Sequence, residues 1–361
     1  VRHWTPKSLD RHWIGRGEEG SGVSLSWQLV KGGAERRKAW DDVVASCGYA
    51  TFFHTRAWAE LFATTLGTWA PDPVVFEFSD GNVAVLPLMR RLDSEHREST
   101  VPGMYGGPLF SRPPSEDHLD GFEAHLWYKD IFILDSPFTP YRWDPDGLVK
   151  WRFHTHIADL SGGFDEAWSR YRTNVKRNIR KAEAAGVEIH AGTSTADLQA
   201  YYEVYEDSLR RFGDDLRSFY PARLFENLRA IPGFGRDVQL SLASVDGRVV
   251  SGLVMLRWAN TAIAWHYSTR PGDLGSHACP LLLRDAMQRA CAEGFRWFDF
   301  LVSGSLKGVA HFKEGFGTRR TRYNAYWSPG MTPASSRPDT GTGAAPEKIQ
   351  QLRRKGGPDP A

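Results

Sequence analysis

Between Phe295 and Trp327 the chain reads FRWFDFLVSGSLKGVAHFKEGFGTRRTRYNAYW, and one lysine, Lys313, stands there between an aromatic strand and a Gly-Phe-Gly turn. A lysine so placed can hold a positive charge at the mouth of a sheet, where it would stabilise an oxyanion or neutralise a phosphate. On spacing alone, a solvated lysine in a turn is the competing reading. Three side chains at or near strand ends are candidates to move a proton beside it: His266, Asp299 and His311. Each reads equally well as a packed or hydrogen-bonded side chain. The second concentration of chemistry is DEAWSRYRTNVKRNIRKAEAA at 165–185, where Arg170, Arg172, Lys176, Arg177, Arg180 and Lys181 follow one another with no acid between them. Helix charges usually mix in sign so that neighbours pair, so such a face points to an anionic partner, phosphate-rich or RNA. The alternative is a solvated face paired with Glu203, Glu206 or Asp207 from elsewhere. No ribonucleoprotein sheet motif or GXXG loop accompanies it.

These residues need elements to hold them. Arg296 to Leu301 alternates as a strand, with Trp297, Asp299 and Leu301 on one face and Phe298 and Phe300 on the other, and it ends at Ser303-Gly304-Ser305. Arg319 to Trp327 resumes an extended pattern after Gly315 and Gly317, which puts Lys313 at an element boundary. The segment 165–185 lacks proline and glycine, opens acidic and stops at Gly186, and it predicts one long helix with Trp168, Tyr171, Val175 and Ile179 as its buried stripe.

The chain also repeats itself. PDPVVFEFSDGNVAVLPLMRR at 71–91 and RDVQLSLASVDGRVVSGLVMLRW at 236–258 both run strand, Asp-Gly, strand, with the turns 166 residues apart. Helices precede each hairpin: Trp58, Leu61, Phe62 and Leu66, with Thr55 as N-cap and Gly67 as stop, and Leu198 to Leu209 before Gly213. A helix at Phe122 to Trp127 leads to a strand at Ile131 to Leu134, as Leu281 to Cys291, closing at Gly294, leads to the strand at 296–301. The period suits a duplicated mixed α/β unit, with a cleft between the copies as the natural ligand site.

Composition bounds the rest. At 361 residues with 41% hydrophobic and 13% aromatic content, the chain reads as globular and long enough for two domains. No apolar run or signal-like start appears, so the expectation is a cytoplasmic protein without membrane insertion. Three cysteines, Cys47, Cys279 and Cys291, lack metal-ligand spacing, which argues against zinc and disulfides. A formal charge of +2 is too near balance to imply nucleic-acid binding by bulk electrostatics, so any such binding must rest on local patches, and no DNA partner is expected. The tail at 329–361 is rich in Pro, Gly, Ser and Thr and reads as disordered, and residues 1–24 read as loose.

RTNVKRNIRKAEAAGVEI at 172–189, DGRVVSGLVMLRW at 246–258, HYSTRPGDLGSHACPLLLRDAMQRACAEGFRWFDF at 266–300 and HFKEGFG at 311–317 together resemble the FemAB-like branch of the GNAT acyltransferase superfamily. Weaker echoes are ATFFHTRAWAELFATTLG at 50–67, the DGNVAVLPL strand and MYGGPLF at 104–110; the likeness spans roughly residues 25–328. It implies two tandem GNAT-like domains at 25–150 and 151–328, each a mixed, mainly antiparallel sheet flanked by helices. It implies transfer of an aminoacyl group from aminoacyl-tRNA, a co-substrate and not a cofactor, to an amine of a peptide-like acceptor, such as a peptidoglycan precursor or a peptidic secondary metabolite. The FKxGFG motif of the FemX-like members falls on Phe312 and Lys313, to which the resemblance assigns the reaction. Arg172, Lys176, Arg177, Arg180 and Lys181 would guide the RNA, and the acceptor would lie near Tyr105, Gly106, Gly107, His266 and Asp299. The chain departs from some members in having no heptad-built arm. It also departs from acetyl-CoA-using relatives in the glycine spacing of RPGDLGSHA at 270–278, although an acyl-CoA-dependent N-acyltransferase acting on a sugar or small metabolite stays open as the alternative.

Overall fold

The protein is described by a computed structural model that covers residues 25–100, 104–123, 126, 130–210, 220–303 and 307–329. The readings made for 1–24, Trp127, Gly213, Gly304-Ser305 and the tail from 330 lie outside the described residues.

The first half runs β1 (Trp27–Leu29), α1 (Gly33–Ser46), α2 (Arg56–Leu66), β2 (Trp69–Pro71), β3 (Val74–Phe78), β4 (Val83–Leu86), β5 (Leu88–Arg91), β6 (Arg97–Ser99), β7 (Leu109–Phe110), α3 (Glu116–Glu123) and β8 (Ile131–Leu134). The second runs β9 (Val149–Asp159), α4 (Phe164–Ser169), α5 (Thr173–Ala184), β10 (Glu188–Gly192), α6 (Thr195–Arg210), α7 (Ala222–Asn227), β11 (Val238–Val245), β12 (Arg248–Trp258), β13 (Thr261–Thr269), α8 (Ala278–Ala292), β14 (Trp297–Asp299), α9 (Lys307–Glu314) and β15 (Arg319–Trp327). Local chemistry accounts for many of the boundaries. The Thr55 hydroxyl accepts the Trp58 amide at the start of α2, and Gly67 ends that helix in the left-handed region. Asp246 and Gly247 both take positive φ, 49° and 76°, in the two-residue turn that returns β11 into β12.

The strands form a mixed α/β architecture of two sheets. A four-stranded sheet has the order β1-β3-β4-β7, and an eleven-stranded sheet the order β10-β11-β12-β13-β14-β9-β15-β8-β6-β5-β2. The second sheet is common to both halves, because β15 pairs antiparallel with β8 from Ala325↔Leu134 to Trp327↔Phe132. Two of its pairings are parallel, β13 with β14 and β6 with β8. β12 is one continuous strand of 11 residues, whereas its counterpart in the first half breaks at Pro87 into β4 and β5, which lie in different sheets. Proline has no amide to give a ladder, and the chain changes sheets there.

Helices cover the long sheet on both faces. Val175 and Ile179 of α5 and Leu282, Leu283 and Met287 of α8 bury Phe298 and Phe300 on one face. On the other, α6 and α7 meet α2 of the first half: Trp58 lies edge-on to Trp265 at 5.0 Å, within a core that also holds Phe62, Tyr201 and Phe225. Such an aromatic pair contributes about 0.5–1.5 kcal/mol beyond its buried area. The halves are therefore joined by both sheet and core.

Two expectations are corrected. Residues 165–185 form two helices, not one. Arg172 adopts extended backbone, φ −63° and ψ 147°, and its amide donates to the Gly315 carbonyl at 2.9 Å, so a tertiary hydrogen bond replaces the helical one at the break. The helix expected at Phe122 to Trp127 is instead α3, earlier in the chain, where Phe122 is buried near its end.

Candidate active site

β13 and β14 run parallel only from Thr261↔Trp297 to Ile263↔Asp299. β13 then continues to Thr269, with a bulge at Trp265 where its register on β12 shifts, while β14 stops. The strands part into a wedge whose β14 side is shaped by Leu301, at φ 59°. A non-glycine residue in that region costs about 1–3 kcal/mol and persists where surrounding contacts enforce it. Here the turn brings the Leu301 amide back onto Asp299 Oδ1 at 2.8 Å and aims the Leu301 and Val302 carbonyls at Lys313 Nζ, 3.0 and 2.7 Å away.

Lys313 lies in the last turn of α9 and is 3% exposed, so the solvated-turn reading is overturned. Burial lowers its pKa to about 8, with the nearby Asp299 carboxyl opposing the shift. Asp299 is fully buried, and burial raises its pKa to about 6 against the Thr155 hydroxyl, the Leu301 amide, the Tyr105 hydroxyl and the Lys313 charge. Thr155 Oγ1 donates to Asp299 Oδ1 at 2.6 Å. Asp299 Oδ2 and Tyr105 Oη make no hydrogen bond of good geometry, although the Tyr105 hydroxyl is close enough to favour the charged carboxylate. The arrangement is a carboxylate able to take a proton near neutrality beside an ammonium able to stabilise a developing negative charge.

The glycines of the 311–317 motif explain how α9 is held. A Cβ on Gly315 would lie 2.6 Å from Val175 Cγ2, and one on Gly317, at φ 71°, would lie 3.0 Å from the Arg170 carbonyl oxygen. Their absence lets the end of α9 sit on the α4–α5 junction. Phe312 packs edge-on to Phe316 at 5.3 Å, a contact that seats the motif in the core. His311 is exposed and lies at Arg172, whose guanidinium donates to its ring at 3.0 Å and to Glu314 at 3.0 Å.

The basic segment divides in the same way. Arg170 pairs with Glu166 and Arg172 with Glu314, while Lys176 lies over the Trp168 ring and donates to the Ser169 carbonyl. Arg177, Arg180 and Lys181 are exposed, and no ion pair forms to them among the described residues. Arg177 and Lys181 are close enough to His277, at the start of α8, to help burial lower its pKa. Glu203 and Asp207, the acids expected to neutralise this face, hold Arg270 instead.

His266 is not part of the Asp299–Lys313 cluster. Its ring is boxed by Tyr201, Tyr205, Tyr220, Phe225 and Trp265, and burial lowers its pKa to about 3. Tyr105, Gly106 and Gly107 are buried between the halves, with Tyr105 edge-on to Tyr323 at 5.0 Å. Sequence reasoning missed Thr155, which holds Asp299. It also missed His156, buried near Lys313 with its Nδ1 unpartnered, and Asp135, a buried carboxyl raised to about 7 by desolvation. A threonine inside a strand carries no signal that would have marked it.

Residues 169–314 match the family model described as acetyltransferase (GNAT) domain. No curated protein matches the chain. Among solved structures, FemX is 13% identical, with 82% of this chain and 96% of that chain covered and a TM-score of 0.62. The C-terminal domain of a putative lysylphosphatidylglycerol synthetase from Agrobacterium fabrum is 13% identical over 84% of this chain and 93% of that one, with a TM-score of 0.52. A conserved protein of unknown function from Bacteroides thetaiotaomicron is 10% identical over 83% and 99%, also at 0.52. At such identities the likeness is one of fold. The chain is thus built on the tandem GNAT fold, and its second half carries the segment that matches the acetyltransferase domain.

Proposed function

We propose that the protein is a GNAT-fold acyltransferase that forms an amide bond, moving an aminoacyl group from aminoacyl-tRNA to a primary amine of a peptide-like acceptor. The observation that carries this reading is the buried Lys313 ammonium beside the Asp299 carboxyl at the point where β13 and β14 part. An aminoacyl ester is already activated, so the work left to the protein is alignment and charge stabilisation. The acceptor nitrogen attacks the ester carbonyl, the new C–N bond forms and the C–O bond to ribose breaks. Asp299 takes the proton that the amine loses and returns it to the leaving ribose oxygen, while Lys313 balances the oxyanion in between. Phe312 keeps the lysine-bearing turn seated. Arg177, Arg180 and Lys181 guide the RNA outside the wedge, and Tyr105 with Gly106 and Gly107 borders the acceptor side. FemX, a structural neighbour across nearly its whole length, supports the reading, as does the FKxGFG resemblance at Phe312 and Lys313.

One observation favours a second reading, an acyl-CoA-dependent N-acyltransferase. Arg177, Lys181 and His277 gather at the start of the 15-residue helix α8, where a diphosphate would find amides and cations together. Arg270 is unsuited to that task, since it is engaged by Asp207, Glu203 and the Val249 carbonyl. The deciding experiment offers the purified protein a charged total-tRNA pool or labelled acetyl-CoA with a panel of amines, and uses Lys313→Ala as the control. Amine-dependent, RNase-sensitive deacylation that the substitution abolishes supports the first reading. Consumption of acetyl-CoA alone overturns it in favour of the second.

A further inference from the structure

β9 and β15 are the sixth and seventh of the eleven strands, yet one face of their central stretch is exposed. The helices α5 and α8 cover that face over Ala158 and Phe298, and the first-half core covers it again at Tyr326, Ile133 and Trp143. Between these covers lie Arg152, His154 and His156 on β9 and Arg320 and Arg322 on β15, with Arg322 opposite His154 and Arg320 opposite His156. Arg152, Arg320 and Arg322 are exposed, and among the described residues no carboxylate pairs with them. The nearby acids are engaged elsewhere: Asp144 takes Lys150 and Arg142, and Glu314 takes Arg172. Like charges gathered across antiparallel strands are destabilising unless an anion joins them. The inner end of the row approaches Lys313, whose charge helps burial lower the pKa of His156.

From this placement we infer that the groove floor formed by Arg152, Arg320 and Arg322 is a binding site for the phosphodiester backbone of a single-stranded RNA end, led along the sheet towards Lys313. The inference rests on the aminoacyl-tRNA reading above. It differs from that reading in placing the terminal phosphates on the sheet, while α5 meets the RNA further out. Two features favour a single strand over a duplex. The floor is narrow, lying between two helix-covered cores. Its arginines also follow the strand rise, so Arg320 and Arg322 stand about 6.8 Å apart, a spacing suited to successive phosphates. Guanidinium groups serve this purpose better than ammonium because they bind phosphate oxygens in pairs.

The test is fluorescence anisotropy of a labelled short single-stranded RNA, titrated over a range of salt concentrations. In the full-length protein, Arg152→Gln, Arg320→Gln and Arg322→Gln combined should make the negative slope of log K against log salt shallower by about 2, as expected for three phosphate contacts to a single strand. The corresponding lysine substitutions should preserve the slope, which guards against misfolding. Lys31→Gln, Arg37→Gln and Lys38→Gln combined, three exposed cations at the start of the first half, should leave binding of this short probe within about twofold. An unchanged slope in the glutamine variant overturns the inference. So does capture of phosphatidylglycerol vesicles through the same arginines without capture of RNA. RNA binding through the floor with no use of charged tRNA would sink the transfer reading alone, whereas use of charged tRNA with an unchanged slope would sink the floor alone.

Discussion

In the second half, β13 and β14 run side by side for three residues and then separate, leaving Asp299 and Lys313 at the opening. In the first half, β6 and β8 begin the same way, parallel at Arg97↔Ile131 and Glu98↔Phe132. There Tyr105, Gly106 and Gly107 fill the gap. Gly106 donates to the Leu134 carbonyl at 2.6 Å, and Ser99 Oγ accepts the Leu134 amide at 2.9 Å. A Cβ on Gly106 would lie 2.9 Å from the Ser99 backbone, and one on Gly107, at φ 97°, would lie 2.7 Å from Asp135 Oδ1, so only glycine lets the backbone pass this close. His54 Nε2 lies 3.2 Å from the Gly106 carbonyl and pins the segment from below. The first wedge is thus sealed by its own chain, and the sealing segment delivers Tyr105 to the Asp299 of the other half. On the proposed function, one wedge reacts and the other, closed by its own chain, supports it.

The largest loss should follow from removing the charge in the open wedge. Lys313→Ala should lower kcat by about a hundred- to a thousandfold, the usual loss for a single oxyanion-type donor. Asp135→Asn, in the sealed wedge, should leave kcat within a fewfold. Comparable losses in the two variants would mean that both wedges take part. Single-turnover rates on either donor measure this.

Asp299→Asn should reduce the rate by roughly a hundredfold or more, as for loss of a positioned general base. It should also change the pH profile. The proposed mechanism needs Asp299 ionised and Lys313 protonated, so the wild-type profile should rise through about 6 and fall through about 8. The asparagine removes the acid limb. Because the Asp299 charge holds the lysine's proton affinity up, its loss should move the alkaline limb towards acid. Stability carries a matching sign. The folded pKa of Asp299 lies above its unfolded value, so the folded state binds the extra proton and stability falls as pH rises from about 4 to about 6. Thermal melts of Asp299→Asn should lack that decline.

The glycine contacts test the supports. Gly317→Ala places a Cβ against the Arg170 backbone at a positive φ and should cost about 1–3 kcal/mol in urea unfolding. Gly67→Ala, also at positive φ but with nothing within 4 Å, provides the reference for backbone strain alone. Equal losses at the two sites would show that the close approach of α9 to the α4–α5 junction contributes nothing.

Much of the fold was legible because its signals are local. The Asp-Gly hairpins, the Thr55 and Gly67 caps, and the strands at Ile131–Leu134 and Arg319–Trp327 all follow from short-range pattern. Lys313 and Asp299 were legible as candidates but not as neighbours, since their meeting depends on the left-handed turn at Leu301, a residue type that gives no warning of it. The break in the basic helix was hidden for a similar reason. Nothing within 165–185 forbids a continuous helix, and the competing bond comes from Gly315, over a hundred residues away. The alternating cations at 150–154 and 319–322 are visible in the sequence, but a period-two pattern of charges does not say which face is left uncovered.

The smallest effect is expected from Tyr105→Phe. The ring stays in its contacts with Phe53, Phe138 and Tyr323, so stability should change by less than about 1 kcal/mol. The lost hydroxyl is one of the groups that favour the charged form of Asp299. Without it the carboxyl's pKa rises further, and the acid limb of kcat/KM should move upward while the alkaline limb, set by Lys313, stays in place. The loss of activity should therefore be severalfold on the acid side and small near pH 8. An acid limb that does not move would mean that the sealing segment of the first half packs beside the reacting wedge without tuning it, and the division of labour between the two wedges would then be one of structure alone.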